Sequence, residues 1–372
     1  MTLHDSLTRE NVLLHVMATG AGPTFLYDLW SNPGASKYLV GTSCPYSRTQ
    51  LHSLLGHTPD SSYVSVGVAY DLAMASYIRA AEHKVVEGLD GDPIGVGITA
   101  AVASTRIPRG VQGVHIAVIS KNKVLNQFFE FEPKEERRAA RIEQDAVISD
   151  LAKELLTQSL SPKSDTDALH TDEEEYALER FYKYPVFKTN GTRCSKTSNG
   201  VYLPASLNPI HEGHRSMCLS AENHLSTGPS RIKATYLVSS KTPHKGELSV
   251  QEMLLKVGML RAERWDHTSR PVEFTRDEPL FIDKAQKRPG SVFLIGADTM
   301  QRMLEPKWYP DSSVEETLVK LKNAQAQFLV MGRVIDGDFI TCRDIAVPWV
   351  HQDLFRPFGG RMDISSTELR NG

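Results

Sequence analysis

The stretch that most restricts how this chain can fold is the apolar run Val201-Tyr202-Leu203, followed after a short turn by Asn208-Pro209-Ile210-His211-Glu212-Gly213-His214. The first three residues read as a buried strand, whereas Met217, Leu219, Ala221 and Leu225 downstream recur at helical spacing. A strand that turns directly into a helix is the repeating unit of a parallel α/β sheet. Such a turn also aims free backbone N–H groups and the positive end of a helix dipole at one point, which suits phosphate. Two histidines beside that point can donate to the same anion. The pair does not read as a zinc motif, because His-Glu-Gly-His lacks the i, i+4 histidine spacing of a metalloprotease helix. Cys194 and Cys218 stand without a Cys-x-x-Cys partner, so no metal ligands are assigned.

Further pieces follow in the same half of the chain. Lys233 to Ser240 reads as a second strand, with Thr242-Pro243-His244-Lys245 after it. Ser291 to Ile295 is another apolar strand that runs into Gly296-Ala297-Asp298, and Trp308 and Tyr309 come soon after. Phe328 to Met331 reads as a strand ending at Gly332-Arg333, and Ile364-Ser365-Ser366-Thr367-Glu368-Leu369-Arg370 lies near the C-terminus.

His-x-Gly-His paired with Ile-Ser-Ser-Thr-x-x-Arg resembles the nucleotidyltransferases that attack the α-phosphorus of a nucleoside triphosphate in line and release pyrophosphate. The resemblance implies a division of labour. His211 and His214 would stabilise the α-phosphate, and Gly213 would let nucleotide lie against the backbone, with Ser206 and Asn208 in the same loop. Ser365, Ser366, Thr367 and Arg370 would clamp the departing phosphates, and Lys245 and Arg333 would face phosphate as well. Gly296-Ala297-Asp298 resembles the Gly-x-Asp of nicotinamide and nicotinate mononucleotide adenylyltransferases, whose aspartate holds a ribose hydroxyl. Trp308 and Tyr309 stand where that family stacks an aromatic ring on the pyridine base. The first motif departs from the family's Gly-Ser/Thr-Phe, showing Ala205, Ser206 and Leu207 instead.

The N-terminal portion makes a separate case. Asn11 to Ala18 reads as a strand, Thr19-Gly20-Ala21-Gly22-Pro23 as a glycine-containing turn, and Phe25 to Trp30 as a helix start, a unit able to cradle an anion. No Gly-Lys-Ser/Thr follows, so it is not a P-loop. With a helix from about Val68 to His83 and strands at Ile94 to Val102 and Val114 to Ser120, the order resembles the CinA C-terminal domain, which includes nicotinamide mononucleotide amidohydrolases. That family's nucleophilic serine is missing, since Val16, Met17, Ala18 and Thr19 occupy the strand end. Tyr46 and the basic residues Arg137, Arg138 and Arg141 match it. Without an activated nucleophile no acyl intermediate forms, so the domain is expected to be non-hydrolytic.

These readings give an α/β protein of two domains. Residues 1–160 are expected to form the CinA-like domain, 161–198 an acidic and polar linker, and 199–372 a Rossmann-like nucleotidyltransferase domain with a parallel sheet. The fused order resembles a two-domain group found in plants and other eukaryotes. The expected reaction is adenylyl transfer from ATP, with Mg²⁺, to nicotinamide or nicotinate mononucleotide. Two alternatives stand beside it: transfer of an adenylyl or cytidylyl group to another phosphorylated acceptor such as phosphopantetheine, and a non-catalytic nucleotide sensor. A net charge of −3 without a basic run argues against nucleic acid as a partner, and the resemblance implies small-molecule nucleotides instead. No apolar stretch reaches the roughly 18 residues of a membrane span. With four scattered cysteines, Cys44, Cys194, Cys218 and Cys342, that points to a cytoplasmic protein with reduced thiols; a homo-oligomer is compatible with the sequence.

Overall fold

The computed structural model describes residues 2–60, 62–105, 110–132, 137–162, 171–189, 192–195, 199–208, 210–226, 232–242, 246–262 and 270–359. Contacts divide the chain into two compact units. Unit 1 comprises Met1–Tyr184, Thr189–Cys194 and Leu248–Ser269; unit 2 comprises Pro185–Lys188, Ser195–Glu247 and Arg270–Gly372.

The N-terminal elements are α1 (Leu3–Arg9), β1 (Val12–Thr19), α2 (Pro23–Trp30), β2 (Leu39–Ser43), α3 (Arg48–Leu55), α4 (Val66–Glu87), β3 (Asp92–Ala101), β4 (Gly113–Ile119), β5 (Val124–Glu130), α5 (Arg137–Leu160) and α6 (Asp172–Lys183). The sheet order is β2-β1-β3-β4-β5, parallel across the first three strands and antiparallel across the last three. Strand β1 is buried along almost its whole length, which accounts for a run that is apolar except at His15 and Thr19. Leu14, Val16, Val96, Ile98, Val114, Ile148 and Leu156 close the main core of this unit.

Two features of unit 1 differ from the sequence reading. The anion cradle at the start of α2 is filled from within. Asp145 on α5 accepts from the Gly22 N–H at 2.6 Å, and its other oxygen accepts from the Thr24 N–H at 2.9 Å and the Thr24 hydroxyl at 2.5 Å. The acidic run at 172–175, expected in a solvated linker, is the first turn of α6, where negative charge complements the helix dipole. Thr171 caps that helix in a reciprocal box with Glu174. Arg180 then pairs with the buried Asp71 of α4 at 3.0 Å.

Along the rest of the chain come β6 (Val186–Phe187), β7 (Arg193–Cys194), β8 (Val201–Pro204), α7 (Glu212–Leu225), β9 (Ala234–Ser239), β10 (Lys241–Thr242), β11 (Gly246–Glu247), α8 (Val250–Ala262), β12 (Val272–Thr275), α9 (Phe281–Lys287), β13 (Val292–Gly296), α10 (Ala297–Met303), α11 (Val314–Asn323), β14 (Gln327–Met331), β15 (Arg333–Ile335), β16 (Asp338–Ile340) and β17 (Phe355–Pro357). Of these, β7 and α8 belong to unit 1. Arg193 of β7 also pairs with Asp71, at 3.1 Å. Helix α8 packs along α4, and a Cβ at Gly258 would come within 2.5 Å of the Ala81 methyl, so only glycine permits that approach. The stretch 248–269 therefore interrupts what the sequence reads as one continuous C-terminal domain.

The sheet of unit 2 runs β17-β14-β13-β8-β9-β12-β6, parallel from β17 to β12 and antiparallel at β6. Its core stacks Phe293 on Phe328 at 5.6 Å and Phe328 on Phe355 at 5.2 Å between ring centroids. Beneath lies a buried charge cluster. Arg288, 1% exposed, donates to Glu273 and Glu278, and the Lys284 ammonium donates to the Glu278 carbonyl. Strand order reverses between β8 and β13, because β9 and β12 extend to one side while β14 and β17 extend to the other. In an open parallel sheet, that reversal leaves a crevice at the strand C-terminal ends.

Candidate functional site

The loop after β8 and the end of β13 flank the point where the strand order reverses. In the first of these, Ser206 and Asn208 are exposed, while Leu207 between them is buried with a positive φ of 49°. A branched side chain in that left-handed region costs about 1–2 kcal/mol, so the loop holds a strained turn where glycine would be relaxed. His211 is the N-cap of α7, Gly213 is buried in its first turn, and His214 follows.

The two histidine rings lie 3.8 Å apart, inclined at 32°. His214 Nδ1 accepts from the His211 backbone N–H at 3.4 Å, so it satisfies one of the helix's otherwise unmet donors. Accepting that bond requires the lone pair on Nδ1, which assigns the ring proton to Nε2. Burial drives the His214 imidazole down to about 3, helped by the neighbouring His211, Arg333 and Arg215. The ring is therefore a neutral N–H donor at physiological pH.

On the neighbouring strand, Gly296 ends β13 and Asp298 stands in the first turn of α10. Arg333, at the start of β15, donates to one Asp298 oxygen at 3.2 Å, and Arg302 donates to the other at 2.9 Å. A Cβ at Gly296 would lie 2.5 Å from the Asp298 carboxylate, so any larger residue there would displace that group. His211, His214, Arg333, Asp298 and Gly296 are thus linked by successive contacts or electrostatic influence at one sheet edge. The arrangement offers neutral and cationic donors beside a carboxylate acceptor, the pattern for a phosphorylated ligand that also carries hydroxyl groups.

The remaining sequence candidates fall elsewhere. Trp308 ends the short 3-10 turn Pro306–Trp308 and is half-buried, with the Lys307 ammonium 5.4 Å from its ring centre. Tyr309 is a core residue whose hydroxyl donates to the Met303 carbonyl at 2.8 Å. Packing thus accounts for Tyr309. Lys245, Ser365, Ser366, Thr367 and Arg370 lie outside the described residues. Sequence reading missed Arg302 and Arg215. Arg302 was detectable, because it lies four residues after Asp298 on one helical face.

Among the described residues, no group of three or more His, Cys, Asp or Glu side chains converges as a metal cage, and no helix is long and apolar enough to cross a membrane.

Comparison with known proteins agrees with this picture for the second half of the chain. Residues 202–372 match the cytidylyltransferase-like family model, so the C-terminal part is similar to that family of nucleotidyltransferases. Among solved structures, the chain is similar to a CinA superfamily protein from Klebsiella pneumoniae, at 13% identity over 42% of this chain and 94% of that one, with a TM-score of 0.33. It is likewise similar to the competence/damage inducible protein CihA from Agrobacterium tumefaciens, at 16% identity over 43% of this chain and 91% of that one, TM-score 0.34. A CinA superfamily protein from Enterobacter cloacae gives 16% identity over 43% of this chain and 88% of that one, TM-score 0.34. No curated protein sequence matches the chain.

Proposed function

We propose that the C-terminal domain transfers an adenylyl group from ATP to nicotinamide or nicotinate mononucleotide, giving a dinucleotide and pyrophosphate. The observation that carries this reading is the grouping of His211, His214, Arg333 and Asp298 where the strand order reverses. A phosphate oxygen of the mononucleotide attacks the α-phosphorus in line; the bond to the β-phosphate oxygen breaks, and its electron pair leaves with pyrophosphate. No covalent enzyme intermediate is needed, so the protein's task is positioning and charge neutralisation.

His214 donates through Nε2–H to an α-phosphate oxygen, and His211 and the N-terminus of α7 add to the same charge. Arg333 turns from Asp298 toward phosphate, while Arg302 keeps the carboxylate compensated and available to a ribose hydroxyl. Ser206, Asn208 and Gly213 border the nucleotide, Trp308 faces the pyridine ring, and Lys245, Ser365, Ser366, Thr367 and Arg370 are assigned to the triphosphate by motif. Magnesium enters as the companion of ATP, held by the triphosphate oxygens.

Unit 1 is read as non-hydrolytic. Met17 and Ala18 are buried, and the Thr19 hydroxyl is committed to the Pro45 carbonyl at 2.6 Å. The test is a panel of phosphorylated acceptors incubated with each triphosphate and magnesium, read by pyrophosphate release. Release with ATP and a pyridine mononucleotide is expected to exceed all other pairings. Preference for phosphopantetheine or for CTP would keep the chemistry and replace the substrates.

A further inference from the structure

The sheet of unit 1 ends on one side at β5, which pairs with β4 alone among the described strands. Their register is unbroken from Gly113 opposite Glu130 to Ile119 opposite Val124. One step further, the Phe131 N–H donates to the Gln112 carbonyl at 2.9 Å, so those two residues form a hydrogen-bonded pair. Such pairs alternate along an antiparallel ladder, so Leu125, Gln127 and Phe129 turn their backbone groups toward β4. Asn126, Phe128 and Glu130 turn theirs away from the sheet.

Helix α6 flanks the Asn126 end, where the Tyr70 hydroxyl accepts from the Asn126 amide at 3.1 Å and donates to the Glu173 carbonyl at 3.4 Å. Beyond that point the edge is open. Phe128 is 48% and Phe129 39% exposed, and among the described residues nothing pairs with the outward backbone groups of Phe128 and Glu130. Sheet edges are normally guarded by lysine, proline, a bulge or a covering element. The opposite edge has such a device, since the pairing of β1 with β2 shifts register between Leu14 and His15. Phe128-Phe129-Glu130 carries none.

We propose that β5 pairs antiparallel with β5 of a second copy of this chain, about a two-fold axis at Phe129, so that two sheets become one. In that register Phe128 lies opposite Glu130 of the second copy, and each outward N–H meets an outward carbonyl. Phe129 meets its own counterpart at a non-hydrogen-bonded position, where cross-strand side chains come closest and aromatic pairs add stability. The neighbouring registers are worse. An axis at Phe128 would require the Asn126 end, which α6 flanks, and an axis at Glu130 would oppose two carboxylates. Self-complementarity under one two-fold axis is what selects a second copy over a foreign strand. The proposal is independent of the transferase reading, because β5 belongs to unit 1.

Sedimentation of the full chain over a concentration series should show a monomer–dimer equilibrium. Glu130→Pro removes an outward N–H and no bond to β4, so it should keep the native circular dichroism and weaken dimerisation about tenfold or more. Phe129→Lys, which sets two ammonium groups on the axis, should abolish the dimer. Register is read by mild oxidation in a Cys44→Ser background, because Cys44 is exposed. Phe129→Cys should give a disulfide-linked dimer, whereas Gln127→Cys, about 13 Å from its counterpart in this register, should not. A chain monomeric at every concentration, a dimer unaffected by Glu130→Pro or Phe129→Lys, or cross-linking at 127 rather than 129 would each overturn the proposal.

Discussion

Replacing Arg288 with methionine is expected to be among the most damaging single changes in unit 2. Its guanidinium is 1% exposed and lies 3.0 Å from Glu273 through Nε, with Nη1 donating to Glu278 and its centre 5.5 Å from the Tyr202 ring. The two carboxylate side chains are only 1% and 6% exposed. Methionine preserves much of the volume but withdraws the guanidinium from the buried Glu273 carboxylate. Glu278 retains Lys287 at 3.3 Å. Breaking a buried pair on one side costs about 3–5 kcal/mol, chiefly through the uncompensated charge. Urea unfolding followed by Trp308 and Trp349 fluorescence, with Trp30 and Trp265 changed to phenylalanine, would isolate the transition of this unit. A triple variant, Arg288→Met with Glu273→Gln and Glu278→Gln, should recover a large part of the loss, because it removes the stranded charges as well. A cost below about 1 kcal/mol for the single change, or a triple variant no more stable than the single, would refute the reasoning.

Other expectations follow from the same physics. Burial holds Lys284 down to about 8, so between there and its unfolded value the unfolded chain binds more protons. Stability of unit 2 should therefore rise with pH from about 8 to 10, by up to about 3 kcal/mol, and Lys284→Met should flatten that rise in urea titrations. His214→Ala should lower turnover about a hundredfold while changing ATP affinity by calorimetry much less, since its Nε2 donor is aimed at charge that grows in the transition state; normal turnover would remove His214 from the chemistry. Asp145→Ala should destabilise unit 1 by about 1–3 kcal/mol in urea unfolding, because three donors at the start of α2 lose their acceptor. An unchanged midpoint would mean that water replaces the carboxylate without loss.

Strands β1, β3, β4, β8, β9, β13 and β14 were legible because each is a compact apolar run, whereas β2, β5, β6, β12 and β17 carry no such signal and went unread. Val201-Tyr202-Leu203 became β8, and the run read from Ser291 to Ile295 became β13, within a residue or so. His211 and His214 were legible because a motif fixes them beside one helix start. What the sequence concealed depends on partners far along the chain. Asp145 meets Gly22 across 123 positions, and nothing near residue 22 announces it. Helix α8 has apolar residues on most faces, which does not say which core it will join; Gly258 against Ala81 decides that only once α4 is in place. The acidic run at 172–175 looked like linker because composition was weighed over position, whereas Thr171 and Glu174 were already a capping pair. Tyr309 looked exposed to ligand for the opposite reason: a ring near a motif is not thereby in the site, and this one is held by Met303.

The central claim is tested most directly by ³¹P NMR of the full chain incubated with ATP, magnesium and nicotinamide mononucleotide. The expected spectrum loses the mononucleotide phosphate in step with ATP and gains pyrophosphate and a dinucleotide diphosphate in equal amounts, with both gains strongly suppressed in His214→Ala. Formation of ADP and inorganic phosphate instead, or an unchanged spectrum with every acceptor while ATP binding persists by calorimetry, would contradict nucleotidyl transfer at this site.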